Sequence, residues 1–298
     1  MLLRAVRTSC LEMGYRALGD ESAPPIVLVH GFPDDPRCWD PIATALAERG
    51  FRTLAPFLRG FGPTRFLDPN RPRSGEIAAL AHDVLEFANA LKLGSFVLVG
   101  HDWGARAAYA ATALAPHRVS GLVALSVGYG TSLPSQPPPS FEQARAYWYQ
   151  WYFGHPLGRA ALAADRRAFC RRLWETWSPG WRFSESDFSA AAESFDNPDF
   201  VDVAIHSYRH RWGGTPGDPR YEHAQKLLSA LPPITAPTTV LHGADDGATL
   251  PESTAGKEHY FRGDYVRRVL PGVGHFIPRE RPDLVLEAIL DRAHATPR

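Results

Sequence analysis

The chain has 298 residues, 44% of them hydrophobic and 21% charged, with 32 basic side chains balancing 32 acidic ones. That is the composition of one large globular domain with room for an insertion, and a net charge of zero gives no electrostatic footing for nucleic acid or an anionic membrane as partner. Cys10, Cys38 and Cys170 lie far apart with no metal or redox spacing, no apolar run is long enough to span a bilayer, and Met1 to Arg7 lacks the long apolar core of a signal peptide. A cytoplasmic protein with unpaired thiols, monomer or homodimer, is the expectation.

In chain order, short runs rich in Val, Ile and Leu read as buried strands at Ile26–His30, Phe51–Ala55, Phe96–Gly100, Leu122–Val127 and Thr238–His242. Between the second and third, Ser74–Leu91 reads as a helix starting at Ser74, with Ile77, Leu80, Ala81, Val84, Leu85 and Ala88 on one apolar face. Strands alternating with helices of this length predict an α/β fold: a mostly parallel sheet with helices on both faces. The alternation stops after Val127. A proline-rich connector at residues 133–139 opens a helical, aromatic segment running to about Leu231, and the strand pattern then resumes at Thr238. The predicted organisation is a core of residues 1–130 and 232–298, with 131–231 inserted as a helical cap over the strand ends, where open α/β sheets bind ligands.

The segment Leu98-Val99-Gly100-His101-Asp102-Trp103-Gly104-Ala105 joins an apolar run to an alanine-rich helix, with glycines two places either side of Asp102. That is the form of a nucleophile elbow with a carboxylate at its apex. A serine attacking an sp3 carbon would leave an ether that water cannot easily remove. A carboxylate leaves an ester, which is hydrolysable at its own carbonyl. The helpers follow in the order nucleophile, acid, base: Asp245 or Asp246 after the strand ending at His242, then His275 in Pro271-Gly272-Val273-Gly274-His275-Phe276. Backbone N–H groups of Phe32, in His30-Gly31-Phe32-Pro33, and of Trp103 would form the oxyanion hole.

With these motifs and Arg59-Gly60-Phe61-Gly62, the chain from about Tyr15 to its last helix resembles the α/β-hydrolase superfamily, in the epoxide hydrolase and dehalogenase branch with an Asp nucleophile. The resemblance implies Asp102 as nucleophile, His275 as base and Asp246 as the acid orienting it, with Asp245 as the alternative. His101, before the nucleophile, reads as structural. One departure is Phe57, where the family usually has Asp, and its expected consequence is structural.

An epoxide oxygen must be protonated as it leaves, whereas a halide needs only N–H donors. The stretch Tyr149-Gln150-Trp151-Tyr152-Phe153 is similar to the one carrying a ring-opening tyrosine in epoxide hydrolases, and Tyr208-Arg209 to the one carrying the second. The resemblance therefore implies Tyr149 and Tyr208 as acids, with Tyr152 as the alternative to Tyr149, and Trp103, Trp151 and Tyr152 as substrate-lining groups. For dehalogenation, Phe32 replaces the Asn many haloalkane dehalogenases carry. The two-arginine carboxylate clamp of haloacetate dehalogenases is represented by Arg106 alone, since Trp103 stands at the first position. The expected activity is hydrolysis of a small apolar epoxide to a diol, the alternatives being haloalkane or haloacid dehalogenation and non-catalytic ligand binding on the same scaffold. No phosphate loop or His-Glu-x-x-His spacing is present, so no cofactor or metal is expected.

Overall fold

The computed structural model describes residues 1–131 and 138–294. Strands β1 (Leu2–Arg7) and β2 (Leu11–Leu18) pair antiparallel at one edge of the sheet. β3 (Pro25–Val29) and β4 (Arg52–Pro56) follow, then the two-residue β5 (Arg65–Phe66), which pairs with β2. β6 (Phe96–His101), β7 (Val119–Leu125), β8 (Thr238–Gly243) and β9 (Tyr265–Leu270) complete a nine-stranded sheet. Its spatial order is β1-β2-β4-β3-β6-β7-β8-β9, parallel from β4 to β9. The sequence reading found the central strands because burial on both faces forces a continuous apolar run. It did not find β1, whose residues are mostly exposed at the edge, nor β9, which carries Arg267 and Arg268 in mid-strand.

Successive side chains of a strand face opposite ways, so each central strand feeds two cores. Ile26, Leu28, Val97, Val99 and Val123 pack with Ile42 and Leu46 of α1 (Asp40–Glu48) and with residues of the C-terminal helix. Val27, Val29, Leu98 and Leu122 pack on the other face, with α2 (Ile77–Ala90) and α3 (Trp103–Leu114). Helix α2 begins three residues later than the sequence suggests. Ser74 is fully buried and its hydroxyl accepts from Arg59 Nη1 at 2.9 Å, so it holds a core arginine and does not cap the helix. Phe57 is buried beside Gly62, where an added Cβ would lie 2.4 Å from its ring.

Between β7 and β8 the described residues are mainly helical: α4 (Phe141–Ala146), α5 (Trp148–Gly154), α6 (Pro156–Ala164), α7 (Arg166–Trp177), α8 (Glu185–Ala192), α9 (Phe200–Arg211) and α10 (Glu222–Ser229), plus short 3-10 turns and a single bridge from Ile234 to Phe261. The expected connector at 133–139 falls largely outside the described residues. These helices pack on the sheet's carboxyl ends: the Trp174 indole donates to the Pro33 carbonyl at 2.7 Å, and Trp177 meets the His275 ring at 4.9 Å. Helices α11 (Ile277–Glu280) and α12 (Pro282–His294) close the chain. No described helix is long and apolar enough to cross a membrane, and all three cysteines are buried free thiols.

The turn from β6 into α3 explains its glycines. A Cβ on Gly100 would lie 2.2 Å from the Gly104 carbonyl oxygen, and one on Gly104 would lie 2.0 Å from that of Val29. Helix α3 thus starts in backbone contact with β3, and neither neighbour is a flexible side chain that could yield. Gly104→Ala must push α3 off β3, an overpacking cost of ~1–3 kcal/mol. We expect a lowered urea midpoint together with a loss of turnover larger than the loss of folded protein accounts for. An unchanged midpoint and rate would show that the close approach is not required.

Candidate active site

The candidate residues leave the carboxyl ends of β3, β6, β8 and β9, so the parallel sheet itself converges them. Asp102 is the residue between β6 and α3, with φ +50° and ψ −112°, a conformation L-residues rarely adopt. Such strain costs on the order of 1–3 kcal/mol and persists only where surroundings enforce it. Here they do: Asp102 N–H donates to the Leu125 carbonyl at 3.2 Å and its own carbonyl accepts from Arg106 N–H at 3.0 Å. The side chain is lifted off both strand and helix, 5% exposed, at the positive end of the helix dipole.

Its two oxygens have different surroundings. Oδ1 accepts from the Phe32 backbone N–H at 3.0 Å. Trp103 follows at the first helical position, where a backbone N–H has no intrahelical acceptor. Oδ2 lies 3.8 Å from His275 Nε2, which is buried without a hydrogen-bond partner among the described residues. Gly31 makes the approach possible, because a Cβ there would sit 2.5 Å from that of Asp102.

On the far side of the ring, His275 Nδ1 is 2.8 Å from Asp246 Oδ2, while Asp246 Oδ1 accepts from the N–H groups of Ala248 and Thr249 at 2.8 and 2.9 Å. Asp245 is exposed, so the structure brings Asp246 to the histidine and leaves Asp245 at the surface. Burial raises the pKa of Asp246, but the charges and hydrogen bonds of His275 and His242 outweigh it and hold this carboxyl well below the usual range. Burial likewise works against a charged His275, yet Asp246 and then Asp102 overcome it and raise the pKa of that ring.

Several supports for His275 carry no signal in the linear sequence. Its carbonyl accepts from Ser126 Oγ at 2.7 Å and from His101 Nε2 at 2.8 Å, and its N–H donates to Ser178 Oγ at 2.8 Å. Burial, with help from the nearby His275 charge, pulls the pKa of His101 down to about 4, so at neutral pH it is an uncharged ring. His101 therefore fixes the backbone of His275, consistent with its structural reading.

The inserted helices bring Tyr149 from α5 and Tyr208 from α9 edge to face, ring centroids 5.3 Å apart, both at most 2% exposed. Phe32, Trp103 and Tyr208 pack together, with Tyr208 5.5 Å from each of the other two rings. The Tyr149 hydroxyl oxygen accepts from Gln150 Nε2 at 2.8 Å, and the Tyr208 hydroxyl oxygen accepts from the Trp103 indole at 3.1 Å. Burial first raises the pKa of both phenols; Asp102 adds to it at Tyr149, Tyr149 and then Asp102 add to it at Tyr208, and the Arg211 guanidinium opposes at both. Both are fully protonated at neutral pH. Gln150 had no assigned role in the sequence reading, although it lies inside the stretch that reading quoted.

Trp151 and Tyr152 are placed elsewhere. Trp151 is 41% exposed, donates its indole N–H to the Ala144 carbonyl at 2.7 Å and packs on Trp212. It lines a cavity of about 410 Å³ that reaches Tyr208 from the outer side of the inserted helices. Tyr152 is half-buried against Phe169 and Trp148. The structure does not bring them to Asp102 as expected: α5 buries Tyr149, Gln150 and Phe153, Trp151 lies opposite Tyr149, and Tyr152, on the flank of the Tyr149 face, is turned toward Phe169 and Trp148. Among the described residues no group of three His, Cys, Asp or Glu side chains is arranged to hold a metal ion.

Comparison with known proteins agrees with this architecture. The chain is 28% identical to epoxide hydrolase A of Mycobacterium tuberculosis, over 97% of this chain and 96% of that one. It is 29% identical to an epoxide hydrolase of Caballeronia sordidicola, over 90% and 87%. The crystal structure of a Klebsiella pneumoniae protein, provisionally assigned as an epoxide hydrolase, superposes with a TM-score of 0.94 at 38% identity, covering 98% of this chain and 97% of that one. The family model for the alpha/beta hydrolase fold matches residues 24–282, and this chain belongs to that family.

Proposed function

We propose that the chain is an epoxide hydrolase in which Asp102, His275 and Asp246 form the catalytic triad and the inserted helices are a cap supplying the acids Tyr149 and Tyr208. The observation that carries this reading is the pair of hydrogen bonds into the phenol oxygens. Each oxygen accepts one N–H, from Gln150 and from the Trp103 indole. Tyr208 also hydrogen-bonds Tyr149, so the Tyr149 proton is the one left to point at a substrate oxygen, and each developing phenolate already has a donor. The Trp103 indole is the donor a departing halide would need, and here it is engaged by Tyr208, which favours an epoxide over a halide.

In the first half-reaction Asp102 Oδ2 attacks a ring carbon, the carbon–oxygen bond breaks, and a tyrosine gives its proton to the leaving oxygen. This forms a hydroxyalkyl ester and a phenolate. In the second, His275 Nε2 takes a proton from water, and the hydroxide adds to Asp102 Cγ. Negative charge then develops on Oδ1, facing the N–H groups of Phe32 and Trp103. Collapse expels the alkoxide, which takes the proton from His275. The proton on the new Asp102 carboxyl returns to the phenolate, leaving a diol and the resting enzyme. Asp246 holds the tautomer with Nε2 free and stabilises the transient imidazolium.

The electrostatics couple the two halves. Asp102's charge raises the pKa of His275, so esterification, which removes that charge, lowers it and frees the ring as a base. We expect the His275 ring, followed by NMR, to titrate at lower pH in Asp102→Ala than in the wild type. An equal or higher midpoint would contradict the coupling.

The tyrosines distinguish the chemistries. General-acid assistance is worth roughly 10²–10⁴-fold. Tyr149→Phe and Tyr208→Phe should each slow alkylation of Asp102, and the double variant should nearly abolish diol formation, all measured by rapid quench with styrene oxide. Halide release from a haloalkane that survives the double change, with no diol from any epoxide, would assign the site to dehalogenation.

A further inference from the structure

His275 sits in a loop whose backbone is held by two side chains that take no part in the proposed reaction steps. Gly274 N–H donates to Glu280 Oε2 at 2.9 Å and His275 N–H to Ser178 Oγ at 2.8 Å. Phe276 N–H donates to Ser178 Oγ and to Glu280 Oε1, both at 3.1 Å. Three successive N–H groups thus converge on one carboxylate and one hydroxyl. The Ser178 hydroxyl donates to Glu280 Oε1 at 2.6 Å, which joins the two acceptors into one unit. Gly274 makes room for it, since a Cβ there would lie 2.5 Å from both Cα and Oγ of Ser178.

The Glu280 carboxylate is committed to this loop, while the arginines on either side of it are held elsewhere. Arg279 is bound by both oxygens of Asp34, at 2.8 and 2.6 Å, and Arg281 by both oxygens of Asp283, at 2.9 and 2.6 Å. Ser178 directly follows α7 of the inserted helices and is 1% exposed. Before it, the Trp177 carbonyl accepts from His275 N–H at 3.1 Å and from Gly247 N–H at 3.0 Å. The end of α7 therefore fastens the loops of both His275 and Asp246. The charged groups around the ring are Asp246, Asp102 and Glu280, while His101 beside it is uncharged at neutral pH. Burial pulls the pKa of His275 down, and those three carboxylates, in that order, raise it.

Hydrogen bonds to a charged acceptor are the strong ones, and a site keeps its geometry only when such bonds lock the residues that carry it. We propose that Glu280 and Ser178 are positioning residues for His275, holding its Nε2 toward Asp102, so that they govern hydrolysis of the Asp102 ester and not its formation. Formation needs the Asp102 carboxylate and a phenol proton, and neither is bonded to this pair. Hydrolysis needs Nε2 to reach a water beside Asp102 Cγ, and the ring rides on the backbone that the pair holds. A carboxylate that merely capped the four-residue α11 would instead affect folding, and both steps alike. The division into two half-reactions rests on the epoxide hydrolase reading, but the hold on His275 does not.

The test reads the two steps separately: rapid quench with styrene oxide follows alkylation, and mass spectrometry of the intact protein follows the ester. Glu280→Gln and Ser178→Ala should leave the alkylation rate unchanged and let ester accumulate. Its hydrolysis should slow at least about tenfold, a 1 Å misplacement of a catalytic group costing up to about 10²-fold. Glu280→Asp, which keeps the charge, should recover part of that loss. By NMR the His275 ring should titrate at lower pH in Glu280→Gln than in the wild type, because a charge that raises its pKa is gone. Hydrolysis at the wild-type rate, or slowing of both steps by the same factor with a lowered urea midpoint, would overturn the proposal. If no epoxide tested alkylates even the wild type, the epoxide reading falls and the titration decides. An unchanged Glu280→Gln midpoint then overturns the hold on His275 as well, and a lowered one leaves it standing.

Discussion

One buried negative charge organises this site: the carboxylate of Asp102. The fold makes it expensive to keep, on a strained backbone turn at 5% exposure, and then surrounds it with groups whose protonation it controls. It raises the pKa of His275 and of both buried tyrosines of the inserted helices, and it partly offsets the burial of Arg106. In the resting state its effect on the phenols keeps their protons in place until substrate arrives. In the proposed mechanism alkylation neutralises it, which would make a phenolate easier to form and a neutral imidazole easier to keep. On that proposal the same event favours the acid step as it happens and prepares the base step that follows.

The architecture divides these tasks between rigid sources. The sheet fixes Asp102, Phe32, Asp246 and His275 at the ends of four strands, and glycines at 31, 100 and 104 let the backbones approach closely enough for the elbow to form. In the proposed reaction the inserted helices supply the groups that touch the leaving oxygen. Contact between the two parts is direct: Trp103, the residue after Asp102, hydrogen-bonds Tyr208 of the inserted helices, and Phe32, whose N–H donates to Asp102 Oδ1, packs its ring on the same tyrosine. A shift of the inserted helices would thus be felt at the elbow itself.

Legibility in the sequence followed the same division. The elbow at Asp102 and the loop at His275 were readable because both are local backbone motifs whose glycines and strand-end positions leave a fixed trace. The choice between Asp245 and Asp246 depended on burial, which adjacent residues after a strand do not encode. Tyr149 and Tyr152 lie three apart on one short helix, nearly the same face, so only packing against Tyr208 and Trp177 separates them. Ser74 looked like a helix cap because its partner, Arg59, is distant in sequence. Gln150, Ser126 and Ser178 were invisible for a related reason: each acts through a hydrogen bond to another residue's atoms.

The claim on which all of this depends is that Asp102 becomes covalently bonded to the substrate. A single turnover in H₂¹⁸O, with enzyme in excess over styrene oxide and the Asp102 peptide read by mass spectrometry, tests it directly. The account predicts one heavy oxygen in the Asp102 carboxyl and an unlabelled diol, because water attacks Cγ and the diol takes its new oxygen from the aspartate. Label in the diol with none in the peptide would mean that water opens the ring itself, and would contradict the account.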